Sequence, residues 1–433
     1  MSPDQRPRIV PSVQAIRPPR TWLPALAPWL ALVAFFVVPP LVSAALSATG
    51  VPQGWLLACL AQAATMIVFA LSYNLLLGET GLLSFGHAAP AGLGALAAAH
   101  LFNRHLVPLP LLPLAGGLGG AAFGALTALV AARRSGTAFA MITLGLGELV
   151  AAAAWALPGW FGGEAGVPID RASGPAIAGW TFGPDRQAYC VIAAWCLLAA
   201  GAIFALSRTP FARLANAVRD NAVRTASLGV APTRVRATMI VWSAAFAGVA
   251  GTLTLINVEL AAAESVGMAR SAAVLISTVT GGAASFFGPV LGALVWVAFS
   301  VGVASVTRAW VLYVGLFFIA VVLAAPDGLA GFVTRQRARF VKYGWRRCRM
   351  VWLAGTGAAA GGVLALVLAV QWAYALKFSD EGDAGTGFAA LTPGASWCLA
   401  AAIVVLAVLA CVAGRHARAA AHALDEAGQK EAQ

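Results

Sequence analysis

Three polar side chains stand inside otherwise apolar stretches of this sequence, and each needs a physical reason to be there. Glu148 lies near the midpoint of TAFAMITLGLGELVAAAAWALPGW, where an ionised carboxylate facing lipid is costly. We expect it to be protonated, hydrogen-bonded inside a helix bundle, or facing a water-filled cavity, in a structural or a functional role. Ser84 and His87 lie in GETGLLSFGHAAPAGLG and can face a transport path. For His87, a hydrogen-bonded packing role is the favoured alternative.

The backbone around Ser84 and His87 is the second unusual feature. The run from Gly78 to Gly94 carries repeated glycines and Pro90, which makes it a poor uniform helix. Irregular backbone persists at membrane depth only where it lines a cavity or is buried in protein. Transporters build substrate paths from interrupted helices of this kind. The predicted path residues are therefore Ser84, His87 and Glu148.

The common signatures of catalysis are missing from the sequence. It contains no GxxxxGK[ST] phosphate-binding loop, no HExxH zinc motif and no GxSxG nucleophile turn. The six cysteines show no metal-ligand spacing. We therefore expect a chain that is not an enzyme, that holds no metal or other cofactor, and that does not hydrolyse ATP itself.

Composition indicates the class of protein. Hydrophobic residues make up 60% of the 433 residues and charged residues only 10%. A soluble domain carries about 25% charged residues. The sequence therefore predicts an all-α, polytopic transmembrane helical bundle. The net charge of +12 is explained by basic cytoplasmic loops, which can also contact anionic membrane lipid. It therefore does not indicate nucleic-acid binding.

Apolar stretches long enough to cross a bilayer number twelve, ten in a core and two in a C-terminal extension. They are 22–47, 55–77, 82–103, 106–132, 137–160, 188–206, 238–261, 266–282, 286–306, 309–325, 351–376 and 395–413. Short cytoplasmic loops collect Lys and Arg. With both termini in the cytoplasm, every strongly basic loop falls on that side. The stretches 82–103 and 266–282 are the weakest and can instead be broken or re-entrant helices.

The domain organisation follows from these stretches. We expect a basic cytoplasmic tail at 1–21, a transmembrane domain at 22–332, and an extension at 333–433 with two further spans. No cleaved signal peptide is expected, because the first apolar run is too long for one.

The loop Ser207–Arg236 carries six arginines against one acid, Asp220, and its pattern predicts an amphipathic helix. Its apolar residues recur every three or four positions: Phe211, Leu214, Ala215, Val218 and Ala222. Asp220 and Arg224 have the i,i+4 spacing of a helical ion pair, and Gly229 followed by Pro232 predicts the helix end. An apolar face on a helix that lies in water indicates docking onto a partner, or contact with lipid headgroups.

Small residues let helices approach closely in lipid. Gly116, Gly120 and Gly124 recur at every fourth position and predict a flat packing face, and Gly288 and Gly292 repeat the spacing. Plain close packing is the expected role, with a sliding or rocking contact as the alternative.

Three blocks of the sequence, in order, resemble the permeases of branched-chain-amino-acid-type ABC importers. They are GETGLLSFGHAAPAGLGAL, then TLGLGELV with GWFGGEAGV, then the stretch from TPFARLANAVRDNAVRTASLGV through VTGGAASFFGPVLGAL to APDGLAGF. The resemblance covers roughly residues 55–332. The resemblance implies a permease subunit in the bacterial cytoplasmic (inner) membrane. It also implies transport of a small polar solute such as a branched-chain or other amino acid.

The resemblance implies partners as well. These are ABC ATPase subunits inside the cell, a second permease subunit forming a homo- or heterodimer, and a periplasmic or extracellular solute-binding protein. In such importers a cytoplasmic permease helix docks onto the ATPase, and five positions here match that block: Arg219, Asp220, Asn221, Leu228 and Gly229. The sequence departs from the family at 222–227 and at Pro90, and 333–433 lies outside the resemblance.

A different class of transporter stays open on the residues alone. An autonomous ion-coupled secondary transporter would use Glu148 as its proton or cation site. Dependence on an ATPase separates the two classes, because a secondary transporter works in liposomes with an ion gradient alone.

Overall fold

The computed structural model describes residues 23–45, 53–176, 179–305 and 307–343, together with scattered positions between 349 and 419. The predicted tail 1–21 lies outside the described residues, as do most residues of the predicted spans 351–376 and 395–413. The chain divides into two compact units, Met1–Leu56 and Leu57–Gln433.

The described residues are almost entirely helical, as the sequence predicts. The helices are α1 Leu23–Ala45, α2 Gln53–Asn74, α3 Ala88–Asn103, α4 Leu112–Ala131, α5 Thr137–Ala156, α6 Pro158–Phe161, α7 Asp185–Ser207, α8 Pro210–Asp220, α9 Ala222–Ser227, α10 Pro232–Val258, α11 Met268–Gly281, α12 Gly288–Val297, α13 Trp310–Ala324 and α14 Gly328–Tyr343. The two strands are β1 Val167–Pro168 and β2 Leu260–Ala261, which pair antiparallel.

Helix α1 belongs to the first unit. It is apolar throughout and contains Pro28, Pro39 and Pro40. Each proline removes a backbone donor from the helical hydrogen-bond ladder. Membrane helices tolerate such losses better than helices in water do, because neighbouring groups can satisfy the freed carbonyls.

Five helices of the described chain are long and apolar enough to cross a membrane. They are Gly54–Glu79, Leu109–Ala131, Thr137–Ala156, Asp185–Ser207 and Pro232–Val258. A sixth is added if α13 and the first part of α14, which meet at a bend of 44°, count as one span. The described residues therefore support a multi-pass protein and do not reach the predicted twelve crossings.

The shorter helices explain part of this difference. The predicted span 82–103 becomes α3, with 16 residues, and the predicted span 266–282 becomes α11, with 14 residues. A straight crossing needs about 20 residues. Both helices are therefore too short to cross by themselves, as expected for broken or re-entrant segments. Helix α11 packs against α12.

Helix α10 is the centre of the second unit, where it packs on α4 and α3. A Cβ atom added to Gly248 would lie 2.2 Å from the carbonyl oxygen of Gly116, and one added to Gly120 would lie 2.3 Å from that of Ala244. One added to Gly124 would lie 2.4 Å from the Cβ of Ala244. The predicted glycine strip of α4 thus lies against α10, with backbone touching backbone.

An ion-pair cluster lies beside the β1–β2 pair. The buried Arg171 donates through Nε to Glu259, at 2.7 Å, and through Nη2 to Asp185, at 3.0 Å. Glu259 itself adopts a left-handed backbone conformation, with φ at 60°. The sequence predicts a solvated interfacial role for Glu259 and Glu264. Glu264 is exposed, and Glu259, whose side chain is 36% exposed, also makes the ion pair with Arg171.

Candidate functional site

The glycine-rich run after α2 interrupts the helix over a shorter stretch than predicted. Helix α2 ends in a wider π turn, Leu75–Glu79, followed by the helical Thr80, and residues 81–87 are not helical. The helix resumes at Ala88 and includes Pro90. Proline is tolerated there because the first turn of a helix leaves its backbone donors unused. The interruption is therefore confined to the seven residues 81–87.

Helices α2 and α5 hold this interrupted segment. The hydroxyl of Tyr73 on α2 donates to the carbonyl oxygen of Ser84 at 3.0 Å. On α5, the hydroxyl of Thr143 accepts from the backbone N–H of Phe85 at 3.3 Å. The approach to α5 is so close that a Cβ atom on Gly86 would lie 2.0 Å from the carbonyl oxygen of Thr143. These contacts fix the irregular backbone inside the protein, as required at membrane depth.

His87 is buried among aromatic rings at the end of the segment. Its ring stacks on Phe69 at a centroid distance of 5.5 Å and meets Tyr73 edge-on at 5.1 Å. Its Nε2 lies 3.0 Å from the hydroxyl oxygen of Ser72. Because Ser72 donates its single proton to the carbonyl oxygen of Phe69, Nε2–H of His87 is the donor in this pair.

Ser84 and His87 line the same cavity. It measures about 350 Å³ including its open mouth, but the free space inside it holds about one water molecule. Its walls are mostly apolar and come from α2, the interrupted segment, α3, α4, α5 and α10: Leu76, Ser84, Gly86, His87, Pro90, Phe123, Gly124, Thr127, Phe139, Thr143, Leu146, Ile240 and Ala244. In this conformation the cavity is too small for a solute the size of an amino acid.

Glu148 does not join Ser84 and His87 in that cavity. It lies on an exposed face of α5, beside Leu149, which is 64% exposed. The preceding residue, Gly147, lies on the buried side of α5, where an added Cβ would lie 2.9 Å from the Cα of Gly86. Helix α5 thus touches the interrupted segment at Gly147 and presents the Glu148 carboxylate on a neighbouring, exposed face.

The predicted amphipathic helix of the basic loop is two helices, α8 and α9, meeting at Asn221. That residue is extended, with φ at −158°, and its side chain accepts from the backbone N–H of Arg224 at 2.9 Å. The predicted Asp220–Arg224 ion pair is wrong, because the break removes the helical spacing, and Asp220 instead pairs with Arg219 at 3.2 Å. Gly229 ends α9 with φ at +84°, as its sequence position predicts.

Helix α8 is tied to the end of α2. The side-chain amide of Asn216 donates to Oε2 of Glu79 at 2.7 Å, and the guanidinium of Arg219 donates to the carbonyl oxygen of Gly78. Gly81, with φ at +68°, lies under the Arg219 side chain. These contacts join the basic loop directly to the start of the segment that carries Ser84 and His87.

The α8–α9 pair keeps part of its apolar surface uncovered within this chain. Three residues of the predicted apolar stripe or its neighbours face inward: Ala212, Ala215 and Val218. By contrast Val223 is 82% exposed and Leu228 is 78% exposed. Isolated exposed apolar side chains are common, and these two stand together on a short, arginine-rich loop.

Several residues of this site were not identified from the sequence. Glu79, Asn216, Ser72, Thr143 and Ser271 all make long-range hydrogen bonds around the interrupted segment. Glu79 had a usable signal, since it is the acid at the end of an apolar run. The hydroxyls of Ser72, Thr143 and Ser271 are too common in membrane helices to indicate a partner far away in the chain, and the Asn216 amide carries no such signal either.

Comparison with known proteins adds an independent observation. The family described as the permease component of branched-chain amino acid transport systems matches residues 55–326. The high-affinity branched-chain amino acid transport system permease protein LivM of Salmonella typhimurium strain LT2 is 30% identical over 285 residues, or 61% of this chain and 67% of that protein. LivM of Escherichia coli strain K12 gives the same figures. No solved structure matches this chain.

The match spans the interrupted segment, the exposed α5 carboxylate and the α8–α9 pair, which are the elements that carry the resemblance noted from the sequence. That resemblance is confirmed, and the apolar helices agree with a multi-pass location in a bacterial inner membrane. The chain therefore belongs to the family of branched-chain amino acid transport system permease components, which serve transport rather than catalysis.

Proposed function

We propose that this chain is the permease subunit of an ABC importer and that α8 and α9 are the docking site of its ATPase subunits. The observation that supports this proposal is the exposure of Val223 and Leu228 on an arginine-rich loop. Apolar side chains that this chain leaves uncovered fit a cleft on another protein. The arginines of the loop favour the cytoplasmic side, where ATP is available.

The contacts of α8 supply a route from the ATPase to the transport path. Asn216 and Arg219 hold Glu79 and Gly78, so a displacement of α8 pulls directly on the end of α2. The interrupted segment begins two residues after Glu79. We infer that ATP-driven movement of α8 repositions this segment and thereby enlarges the narrow cavity beside Ser84 and His87. Arg219, Asp220, Asn221, Leu228 and Gly229 remain the proposed coupling residues.

Glu148 fits a path that is completed by a second permease subunit. A carboxylate on an exposed face of a membrane helix is costly against lipid, but it is satisfied in a water-filled passage between two subunits. The proposed partner is a similar or identical permease. A solute-binding protein on the outer face would deliver the solute, and both termini would lie in the cytoplasm.

The substrate proposed for this path is a small polar solute such as a branched-chain or other amino acid. The LivM relatives are named as branched-chain amino acid permeases, and this supports the class. The binding protein usually selects the solute, so this chain is proposed to supply the passage.

A substitution at Gly229 tests the docking proposal. No atom of the chain lies within 4 Å of a Cβ added there, so Gly229→Arg projects into open space and should not disturb packing. Gly179→Arg is the matched control, since its φ of +81° is close to the +84° of Gly229 and its surroundings are equally open. The two variants carry similar backbone strain. They differ in position, because Gly179 lies in the loop before α7.

The assay is uptake of radiolabelled leucine in cells that express the chain with the genes flanking its own, with immunodetection of the protein in the membrane. We expect Gly229→Arg to abolish uptake at an unchanged membrane level and Gly179→Arg to retain it. Normal uptake by Gly229→Arg contradicts the docking role. Uptake by the purified chain in liposomes with an ion gradient and no ATPase instead supports a secondary transporter.

A further inference from the structure

Arg270 is a cation inside the helical unit whose charge the described chain does not neutralise. It lies in the first turn of α11 and is half-buried. One guanidinium nitrogen donates to the hydroxyl of Thr254 on α10 at 2.8 Å. The guanidinium carbon lies 5.7 Å from the centroid of the Phe69 ring on α2, which is within cation–π range.

These contacts leave most of the guanidinium unused. Arginine has five N–H donors in a planar fork, and the Thr254 hydroxyl takes one of them. No carboxylate lies within 4.0 Å of Arg270 among the residues that the structure describes. A charge away from bulk water is costly unless it is paired, and intramembrane arginines normally pair or face a solute path. The remaining donors suit the bidentate binding of a carboxylate.

The neighbours of Arg270 place it beside the interrupted segment. The Phe69 ring that it approaches also stacks on His87. The adjacent residue, Ser271, accepts through its hydroxyl oxygen from the backbone N–H of Ala88, at 2.9 Å. Arg270 is therefore one aromatic ring away from a residue of the proposed path, and α11 is hydrogen-bonded to the start of α3.

The position of Arg270 along the fold indicates which half of the path it serves. Its partner Thr254 lies about one turn before the end of α10 at Val258. The α8–α9 docking pair adjoins the opposite end of α10, at Pro232. In an importer whose ATPase binds at that end, Arg270 lies in the half that the solute enters first.

We propose that Arg270 binds the carboxylate group of the transported solute in the entry half of the path. The substrate class is then a small carboxylate-bearing molecule, as amino acids are, and neutral amides of the urea type are excluded. This inference rests on the proposed permease function. It also assigns Arg270 a role in specificity, because the guanidinium recognises one functional group of the solute.

Binding by the purified chain in neutral detergent tests the proposal without the binding protein. Ligand-dependent shifts in thermal unfolding give apparent dissociation constants for three compounds: L-leucine, 4-methylpentanoate and the neutral 4-methylpentanamide. We expect the wild-type chain to bind 4-methylpentanoate at least tenfold more tightly than the amide, as hydrogen bonds to a charged group imply. Arg270→Gln should abolish that preference.

Two further variants separate charge recognition from folding. Arg270→Lys keeps the charge but loses the planar fork, so we expect a partial preference for the carboxylate. Arg186→Gln is the matched control, because it removes one positive charge from an exposed site in the first turn of α7 and should leave the preference unchanged. A single symmetric peak in size-exclusion chromatography establishes that each variant is folded.

Three results overturn the proposal: no carboxylate preference in the wild-type chain, the full preference in Arg270→Gln, or Arg270-dependent stabilisation by phosphatidylglycerol without any by the carboxylates. The last result assigns the guanidinium to a lipid headgroup. The permease function is judged separately. Gly229→Arg should keep the carboxylate preference while losing uptake, and uptake without an ATPase rejects the importer assignment whatever Arg270 binds.

Discussion

The hydrogen bond between Asn216 and Glu79 is one of two polar contacts that join α8 to the end of α2. Its contribution to the free energy of unfolding can be measured. A hydrogen bond to a charged group contributes about 1.5–3 kcal/mol when it is protected from water. Both side chains here are half-buried, so solvent competes for them and we expect about 1 kcal/mol. A change of that size alters an equilibrium about fivefold.

The measurement is a double-mutant cycle on the purified chain in detergent. Chemical unfolding of wild type, Glu79→Ala, Asn216→Ala and the double variant gives the interaction free energy as the departure from additivity. A control cycle combines Glu79→Ala with Ser173→Ala. The Ser173 hydroxyl donates to the carbonyl oxygen of Asp170, near the far end of α10. We expect that control cycle to be additive within about 0.5 kcal/mol.

Additivity in the Glu79–Asn216 cycle itself refutes the reasoning, since it means that the two side chains do not interact in the folded protein. A functional readout complements the cycle. In proteoliposomes with the ATPase subunits, we expect the double variant to hydrolyse ATP while it transports less solute per ATP than wild type. A transport yield equal to wild type removes this link from the coupling route.

Three further predictions concern packing, the ion-pair cluster and the path. Gly86→Ala places a Cβ 2.0 Å from a backbone carbonyl oxygen, so it should lower the free energy of unfolding by about 1–3 kcal/mol. Gly145→Ala, in open space, should not destabilise the protein, and thermal unfolding measures both variants. Arg171→Met should destabilise by about 1–3 kcal/mol, because two carboxylates lose their buried partner, and stability equal to wild type contradicts the cluster. Glu148→Gln should reduce uptake at an unchanged membrane level, and full uptake excludes Glu148 from the path.

The positions of the long apolar helices were predictable because their signal is local. The predicted spans 106–132 and 188–206 correspond to Leu109–Ala131 and Asp185–Ser207. A run of apolar residues must be helical in lipid, whatever its neighbours are. Helix ends are set by arginines, prolines and glycines, which are visible in the sequence. The sequence predicted the glycine strip of α4, but only the structure shows that α10 is the helix packed against it.

The break at Asn221 was not predictable from periodicity. The apolar spacing continues from Val218 to Ala222 across the break, so the pattern alone favours one helix. Asparagine is acceptable in a helix and preferred at its start, and only the tertiary contacts of α8 and α9 decide between the two. Thr225 on α9 illustrates this, because its buried hydroxyl lies 3.0 Å from the carbonyl oxygen of Ala217 on α8 as well as 2.8 Å from that of Asn221, and its single proton is donated between them.

Arg270 was overlooked for a related reason. It falls within the predicted span 266–282 but near its end, where a long side chain ordinarily reaches water. Its approach to Phe69 and the absence of an acid nearby, among the described residues, are properties of the folded chain. A sequence shows which residue types are present, but whether a charged side chain has a partner of opposite charge depends on the fold.

The backbone contact between α4 and α10 has a consequence for how this protein tolerates change. A side chain at Gly248 would meet the carbonyl oxygen of Gly116, which cannot rotate away, with its Cβ at 2.2 Å. A side chain at Gly116 would meet the hydroxyl of Thr252, with its Cβ at 1.7 Å, and the carbonyl oxygen of Gly248 at 3.0 Å, so either substitution would drive the two helices apart. Helix α7 is far less buried, since only 28% of its most apolar stretch is buried by the rest of the chain. A saturation mutagenesis library selected for folded protein should therefore recover almost nothing but glycine at positions 116 and 248. On the exposed side of α7 it should recover nearly any apolar residue.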